Sequence, residues 1–215
     1  MKEVWFIRHG ESASNVNEIM SDVVTIPLTA KGHEQAKEVS LAFTKSPDLI
    51  VVTPFERTHH TAKYCMERFP SARYEEWPLQ EFTYVSPKAC VNTSRDQRKP
   101  LTDAYWKIKD PDYVHGEGAE SFSMMVDRIK DAYNKLQKAD GEFIVVFTHG
   151  LIMRTMMLME YYPGLSNKEL LDVFVNTKGK FELGNCEIMR ANVDATGLHI
   201  IKPANNKTSN KPRIF

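Results

Sequence analysis

Short runs of consecutive apolar residues recur along the chain, and segments long enough to form helices separate them. The clearest runs are residues 4–7, 48–53 and 142–148, of which the last is the strongest. Because apolar and polar positions do not alternate within them, these runs are typical of strands that are covered on both faces. The pattern therefore predicts a parallel sheet with helices on either side.

Three weaker runs are also strand candidates, at residues 72–77, 186–193 and 198–202. The last two flank the sequence DATG, whose turn-forming residues predict a hairpin. We expect that hairpin to lie at an edge of the sheet.

Four segments between these runs show helical signals: 29–43, 53–69, 119–139 and 150–162. Thr29 is the expected N-cap of the first helix, and Thr53, followed by Pro54, is the expected N-cap of the second. The third segment carries an apolar stripe on one face, whereas the fourth is apolar nearly all round and is expected near the centre. The alternation of strands and helices predicts an α/β sandwich.

Residues 78–118 contain four of the eleven prolines and show little periodicity. We expect them to form a lid inserted into a single domain that covers residues 1–202. The remaining residues, 203–215, are polar and are expected to form an extended tail.

A chain of 215 residues, of which 42% are hydrophobic, is long enough for one domain with a substantial core. Its 28 basic and 28 acidic residues balance, so no global field favours nucleic acid or an anionic membrane as a partner. Cys65, Cys90 and Cys186 are far apart and show no zinc-binding pattern, which predicts reduced thiols. No signal peptide or membrane-spanning run is visible, so we expect a cytoplasmic protein.

Polar sequence motifs lie at the ends of the three strongest predicted strands. The first strand runs into RHGES, the second into TPFER, and the third ends in THG. The carboxyl ends of parallel strands meet at one rim, where open α/β sheets bind their ligands. The side chains expected to converge there are Arg8, His9, Arg57 and His149, with Asn15 as a further hydrogen-bond donor.

Two guanidinium groups and two imidazoles in one cleft make a site for an oxyanion, and arginine suits the geometry of phosphate. A neutral histidine can attack phosphorus and form a phosphohistidine that water then hydrolyses. The cations would neutralise charge on the transferred group, and the second histidine would donate to its oxygens. The residue pattern therefore predicts phosphoryl transfer.

Cations cannot protonate the leaving oxygen, so the chemistry also needs a carboxylic acid or a bound water. Glu81 follows a strand-like run and a proline and is one candidate. On spacing alone, Glu11, Glu75 and Glu76 remain alternatives. The adjacent residues His59 and His60 point about 100° apart on a helix and are expected at its surface rather than on a metal.

The combined motifs resemble the histidine phosphatase superfamily, the phosphoglycerate mutase-like enzymes. The matching segments, in the order of that family, are RHGESASN (8–15), PLTAKGHEQA (27–36), TPFERTHHTA (53–62), LQE (79–81), GAES (118–121) and THG (148–150). Each segment alone is a weak signal, but their combination is highly specific and spans most of the chain.

The resemblance implies a role for each matching residue. His9 would be the phosphorylated nucleophile, Glu81 the proton donor, and His149 a further catalytic group. The phosphate pocket would comprise Arg8, Asn15, Arg57 and His149. The resemblance also implies a three-layer α/β/α sandwich around a mostly parallel sheet, and chemistry that needs neither a metal nor a cofactor.

The sequence departs from the mutase branch of this family. Cofactor-dependent mutases are typically longer and follow the acid with an Arg-x-Tyr-Gly type segment, whereas Phe82, Thr83 and Tyr84 follow Glu81 here. This difference favours a metal-independent phosphomonoester hydrolase. A mutase-type isomerase and a phospho-ligand-binding module without turnover remain the alternatives.

We expect a small phosphorylated metabolite as the substrate and no nucleic acid or membrane partner, and a homodimer is the assembly considered. The segment 82–118 does not match the well-known branches of the family, so the sequence does not identify that metabolite. Candidates for binding its non-phosphate part are Tyr84, Arg95, Arg98 and Lys99.

Overall fold

In the computed structural model, which describes residues 1–201, six strands make one sheet. In chain order they are β1 (Lys2–Arg8), β2 (Leu49–Val52), β3 (Arg73–Glu76), β4 (Phe143–Thr148), β5 (Ile188–Asp194) and β6 (Gly197–Ile200). Their spatial order is β3-β2-β4-β1-β5-β6. The first four of these pair in parallel, and β5 and β6 pair antiparallel. The predicted mostly parallel sheet and its edge hairpin are confirmed, and the predicted tail lies outside the described residues.

Seven α-helices and one 3-10 helix connect the strands within residues 1–201. The 3-10 helix is Ala13–Val16, and the α-helices are α1 (Ala30–Leu41), α2 (Glu56–Arg68), α3 (Pro87–Cys90), α4 (Arg95–Ile108), α5 (Phe122–Lys138), α6 (Gly150–Tyr161) and α7 (Asn167–Asn176). None of these helices is both long enough and apolar enough to cross a bilayer.

The helices cover both faces of the sheet because successive strand residues point to opposite sides. In β1, Val4 and Phe6 pack into a core with α5, α6 and α7. Trp5 and Ile7 point the other way and pack with α1 and α2. The strands are apolar on consecutive residues because each face is buried, and the predicted three-layer α/β/α sandwich is confirmed.

The predicted cap of α1 is correct, whereas the predicted cap of α2 is wrong. Thr29 Oγ1 accepts a hydrogen bond of 3.0 Å from the backbone N–H of Gly32. In α2, the N-cap is Phe55, and the helix begins at Glu56 rather than next to Thr53. The hydroxyl of Thr53 lies 2.8 Å from His149 instead, so this threonine takes part in the site at the sheet rim.

The segment 78–118 is more regular than its sequence predicts, since it contains α3 and α4. Helix α4 begins with a capping box between Ser94 and Gln97 and continues through Pro100. It buries only Arg98 and Tyr105, so it shows no apolar stripe from which a helix could be predicted. Helix α7 was not predicted either, and it has only ten residues.

Candidate active site

The carboxyl ends of β1, β2 and β4 meet at one rim of the sheet. Arg8 at the end of β1 lies in register with Thr148 at the end of β4, so His9 and His149 leave adjacent strands. Their ring centroids are 5.2 Å apart. Arg57 lies in the first turn of α2, beyond the end of β2. The four side chains that were expected at this rim are therefore found there.

His9 is buried, and one of its ring nitrogens is held by the backbone. Nδ1 lies 2.7 Å from the carbonyl oxygen of Gly10. Because a carbonyl oxygen can only accept, Nδ1 carries the proton and Nε2 keeps a free lone pair. Burial, followed by the charges of Arg57 and Arg8, holds the pKa of His9 well below its usual value. The imidazole is therefore neutral at pH 7 and has the form that a nucleophile requires.

Gly10 and Gly32 permit a direct contact between the backbone after β1 and the backbone of α1. A Cβ atom added to Gly10 would lie 2.5 Å from the carbonyl oxygen of Gly32. A Cβ atom added to Gly32 would lie 2.0 Å from the carbonyl oxygen of Glu11. The turn that follows His9 therefore packs on the helix without room for a side chain at either position.

His149 is the N-cap residue of α6 and is completely buried. Its Nε2 lies 2.8 Å from Thr53 Oγ1, whereas its Nδ1 has no hydrogen-bond partner in the part of the chain that the structure describes. Burial, followed by the charge of Arg57, holds the pKa of His149 well below its usual value. One nitrogen of a neutral ring thus remains available to a ligand.

The two arginines are each fixed by a backbone carbonyl. Arg57 Nη1 donates to the carbonyl of Val23 at 3.2 Å, and Arg8 Nη1 donates to the carbonyl of Leu183. Burial lowers the pKa of Arg57 to about 10, so the guanidinium stays charged at pH 7. The Nε atom of Arg8 is buried without a hydrogen-bond partner among residues 1–201. Each guanidinium therefore retains N–H groups that can bind an anion.

Asn15 is positioned by a residue that the sequence analysis missed. Its Oδ1 accepts hydrogen bonds from the backbone N–H of Ser12 at 3.0 Å and from Asn185 Nδ2 at 3.2 Å. Asn185 also donates to the carbonyl of His9 at 3.0 Å. With its oxygen occupied, Asn15 can offer its amide N–H groups to a ligand. Asn185 lies in a short turn before β5, where no strand end or cap pattern marks it in the sequence.

Glu81 is a carboxyl group close enough to Arg57 and Arg8 for their charges to act on it, and the start of α6 holds it. The backbone N–H groups of Phe82 and Leu151 donate to its Oε1 at 3.1 and 3.2 Å. Burial raises the pKa of Glu81, although the charges of Arg57 and Arg8 oppose that shift. A carboxyl with a raised pKa keeps its proton to higher pH and can act as a general acid.

The three competing glutamates lie elsewhere and have other partners. Glu11 pairs with Lys31 at 2.7 Å, and Glu75 accepts from the indole N–H of Trp77 at 2.7 Å. Glu76 lies 3.3 Å from His59 on the surface of α2. Geometry thus leaves Glu81 as the acid candidate in this site.

A second ion pair holds the segment that carries Glu81. Arg128 in α5 contacts both carboxylate oxygens of Glu120, at 2.9 and 2.5 Å. It also donates to the carbonyls of Pro78 at 2.6 Å and Gln80 at 3.2 Å. Glu120 accepts from the backbone N–H of Thr83 at 3.2 Å. Backbone on both sides of Glu81 is therefore fixed, and this role of Glu120, which lies within the GAES motif, is visible only in the structure.

The site opens into a cleft of about 860 Å³, which Arg8, Asn15 and Glu81 line at one end. The four residues suggested for binding the rest of the substrate line it as well: Tyr84, Arg95, Arg98 and Lys99. Two of them are already engaged, because Arg98 donates to the carbonyl of Thr93 and Lys99 pairs with Asp103. Tyr84 lines the cleft with its ring 4.9 Å from that of Trp106, and Arg95 is exposed at the cleft wall.

Metal-ligating side chains do not gather in this part of the molecule. Within residues 1–201, no group of three or more His, Cys, Asp or Glu side chains has an arrangement that could hold a metal ion. His59 Nδ1 lies 2.7 Å from the hydroxyl of Tyr74, whereas the ring of His60 lies near that of His33, with centroids 6.1 Å apart.

Comparison with known proteins places this geometry in a family. A sequence profile described as "Histidine phosphatase superfamily (branch 1)" matches residues 4–206. An adenosylcobalamin/alpha-ribazole phosphatase of Salmonella typhi is 29% identical over 132 residues, which cover 58% of this chain and 63% of the relative. A 2,3-bisphosphoglycerate-dependent phosphoglycerate mutase of Bifidobacterium longum is 23% identical over 201 residues, which cover 80% of this chain and 81% of the relative.

Solved structures share the fold. The alpha-ribazole phosphatase of Shigella flexneri superposes with a TM-score of 0.70 at 20% identity and covers 99% of this chain and 98% of its own. At that identity the likeness supports the fold alone, and the sequence profile carries the assignment. The resemblance found from the motifs is confirmed: this chain belongs to the histidine phosphatase superfamily, branch 1.

Proposed function

We propose that this protein is a metal-independent phosphatase that hydrolyses a phosphomonoester through a phosphohistidine on His9, with Glu81 as the proton donor. The observation that carries the proposal is the protonation state of the His9 ring. Its Nδ1 donates to the carbonyl of Gly10, and Arg8 and Arg57 help to keep the ring neutral, so Nε2 has a free lone pair. A carboxyl with a raised pKa lies in the same site.

In the first step, the lone pair of His9 Nε2 attacks phosphorus, and the bond between phosphorus and the leaving oxygen breaks. The carboxyl of Glu81 gives its proton to that oxygen, so an alcohol departs and Glu81 becomes ionised. Arg8 and Arg57 neutralise the charge on the phosphoryl oxygens. In this mechanism the Thr53 hydroxyl, which lies 2.8 Å from His149 Nε2, donates to that nitrogen. The ring proton is then on Nδ1 and can be donated to a phosphoryl oxygen.

In the second step, the ionised Glu81 takes a proton from water as the water oxygen attacks phosphorus. The bond between phosphorus and His9 Nε2 breaks, and its electron pair returns to the imidazole. Inorganic phosphate leaves, and both residues are again in their starting protonation states. The raised pKa of Glu81 suits both halves of this cycle, because the group must hold a proton first and accept one afterwards.

The alternative with a supporting observation is a phosphoglycerate mutase-type isomerase, since one of the relatives carries that name. A mutase would return the phosphoryl group to an organic acceptor and release little phosphate. Other relatives are named as phosphatases, and the residues after Glu81 lack the segment typical of mutases. A small phosphorylated metabolite as the substrate, a cytoplasmic location and a homodimer stay predictions.

The test is phosphate release from p-nitrophenyl phosphate, together with trapping of the phosphoenzyme. We expect His9→Ala to abolish both turnover and the acid-labile, base-stable phosphate that a rapid quench traps on the unaltered protein. His199→Ala, which changes a half-exposed histidine on β6, is the matched control and should retain both. Turnover of His9→Ala near that of the unaltered protein would exclude this mechanism, and strong inhibition by EDTA would indicate a metal hydrolase.

A further inference from the structure

The turn of residues 183–187, which precedes β5, packs against the end of β1. The backbone N–H of Cys186 donates to the carbonyl of Arg8 at 3.0 Å, and the backbone N–H of Arg8 donates to the carbonyl of Glu187 at 3.2 Å. The carbonyl of Leu183 accepts from the guanidinium of Arg8. This turn therefore holds both the main chain and the side chain of one residue in the proposed phosphate pocket.

Asn185, in the same turn, uses both hydrogens of its side-chain amide on the segment that carries the nucleophile. Its Nδ2 lies 3.0 Å from the carbonyl oxygen of His9 and 3.2 Å from Oδ1 of Asn15. A backbone carbonyl can only accept a hydrogen bond, so the atom of Asn185 beside His9 must be the NH2 nitrogen. Each of its two hydrogens then has one acceptor.

The far end of this chain of hydrogen bonds is also fixed by the backbone. The N–H of Ser12 lies 3.0 Å from Oδ1 of Asn15, and a backbone N–H can only donate. The hydroxyl of Ser12 adds a further donor to the same oxygen at 3.1 Å. The carbonyl of His9 at one end and the N–H of Ser12 at the other thus determine which end of the Asn15 amide is the oxygen.

The orientation of the Asn15 amide decides whether this residue attracts or repels a phosphate. The two ends of a planar amide point in different directions, so the NH2 group of Asn15 faces away from the donors on Ser12 and Asn185. Asn15 lines the cleft at the sheet rim. An N–H group stabilises an anionic oxygen there, whereas a carbonyl oxygen in its place would repel it.

We propose that Asn185 is a positioning residue for phosphoryl transfer, which holds the amide of Asn15 with its NH2 group toward the phosphoryl group. Asn185 itself does not line the cleft, so it acts through Asn15 and not by touching the ligand. The inference rests on the proposed function in taking the phosphoryl group to bind between Arg8, Arg57 and Asn15.

The test measures the Kd of inorganic phosphate by calorimetry, which requires no turnover. In Asn185→Ala, the amide of Asn15 loses one of its donors and can rotate, so we expect Kd to rise about fivefold, a coupling typical of residues in contact. Asn15→Ala removes the ligand itself and should raise Kd by at least as much. Once Asn15 is absent, the change at Asn185 should have no further effect, so the double variant should have the Kd of Asn15→Ala.

Asn134→Ala changes an exposed amide on α5 and is the matched control, for which Kd should be unchanged. Asn185→Leu, which keeps the volume of the side chain, repeats the test if Asn185→Ala does not fold.

An unchanged Kd in the folded Asn185 variant would overturn the proposal, because the residue would then serve only the fold. An equal loss with and without Asn15 would overturn it as well, because Asn185 would then act through the carbonyl of His9. Turnover of p-nitrophenyl phosphate by the unaltered protein, measured in parallel, tests the proposed function separately, since phosphate binding involves no bond breaking.

Discussion

Arg128 and Glu120 form a two-point ion pair beneath the segment that carries Glu81. The pair is largely buried, with 16% of the arginine side chain and 12% of the glutamate side chain exposed. Together they bind backbone groups of residues on both sides of Glu81. A buried pair of this kind fixes geometry more than it adds stability. We infer that it positions the proposed proton donor.

Glu120→Gln keeps an acceptor for the N–H of Thr83 but removes the charge that holds Arg128. We expect kcat/KM for an alkyl phosphate to fall about tenfold further than kcat/KM for p-nitrophenyl phosphate, whose leaving group needs little protonation. Glu117→Gln removes an exposed carboxylate three residues earlier and serves as the control. Equal losses on both substrates would mean that the Arg128–Glu120 pair supports the fold and does not position Glu81.

Glu81→Gln retains the shape of the side chain and its hydrogen bonds to Phe82 and Leu151 but has no proton to give. Turnover of an alkyl phosphate should fall by about 10² or more, the usual contribution of general acid catalysis. The loss on p-nitrophenyl phosphate should be clearly smaller. Steady-state kinetics with the two substrates measure this difference, and a uniform loss would contradict the assignment of Glu81.

The same substitution should stabilise the protein at neutral pH. The folded-state pKa of Glu81 is raised above its ordinary value of 4.5, so between the two pKa values the unfolded chain binds fewer protons. The free energy of unfolding therefore falls as pH rises through that interval. Glu81→Gln should raise Tm by roughly 2–4 °C at pH 8, the shift that about 1 kcal/mol produces in a chain of this length. The gain should disappear near pH 4.5, and a gain that is independent of pH would contradict this origin.

The depressed pKa values of His9 and His149 make the free energy of unfolding change with pH in the opposite direction at acid pH. Both rings are neutral when folded, and the unfolded chain protonates its histidines near 6.5. Stability should therefore decrease as pH falls through 6.5, whereas kcat should not decrease there, because neither ring gains a proton in the folded protein. Histidine NMR titration and the pH profile of kcat test this prediction. An acid limb of kcat at 6.5 that follows the His9 resonance would disprove it.

Gly32→Ala should damage stability and activity together. The added Cβ would lie 2.0 Å from the carbonyl oxygen of Glu11, a backbone atom that no side-chain rotation can move. We expect a loss of about 1–3 kcal/mol in the free energy of unfolding, typical of overpacking, and a lower kcat because the turn after His9 must shift. Lys37→Ala on the exposed face of the same helix is the control. Unchanged denaturation midpoints for Gly32→Ala would show that α1 can move away.

The sequence is most informative where burial is complete. Residues 4–7 and 143–147 are apolar at every position because helices cover both faces of the sheet, so strands and layers could be predicted. The motifs at the strand ends could be combined into one site because parallel strands end at the same rim.

Residues outside that regular frame could not be predicted. Asn185 reaches His9 from a turn that is remote in the sequence, and no periodicity marks it. Thr53 has the sequence signature of a helix cap, but its hydroxyl contacts His149. Helix α4 lines a cleft with most of its polar residues and packs on the core mainly through Tyr105 and Trp106, so its pattern resembles that of a loop.

The start of α6 places two parts of the site at once. His149 caps this helix, and the N–H of Leu151 two residues later binds Glu81. The proposed acid and the proposed phosphate ligand are thus held by backbone positions only two residues apart at the start of one helix. The distance between the group that protonates the leaving oxygen and the group that binds the phosphoryl oxygens is therefore set by helix geometry. Substitutions in the walls of the cleft can change which substrate binds without altering that distance.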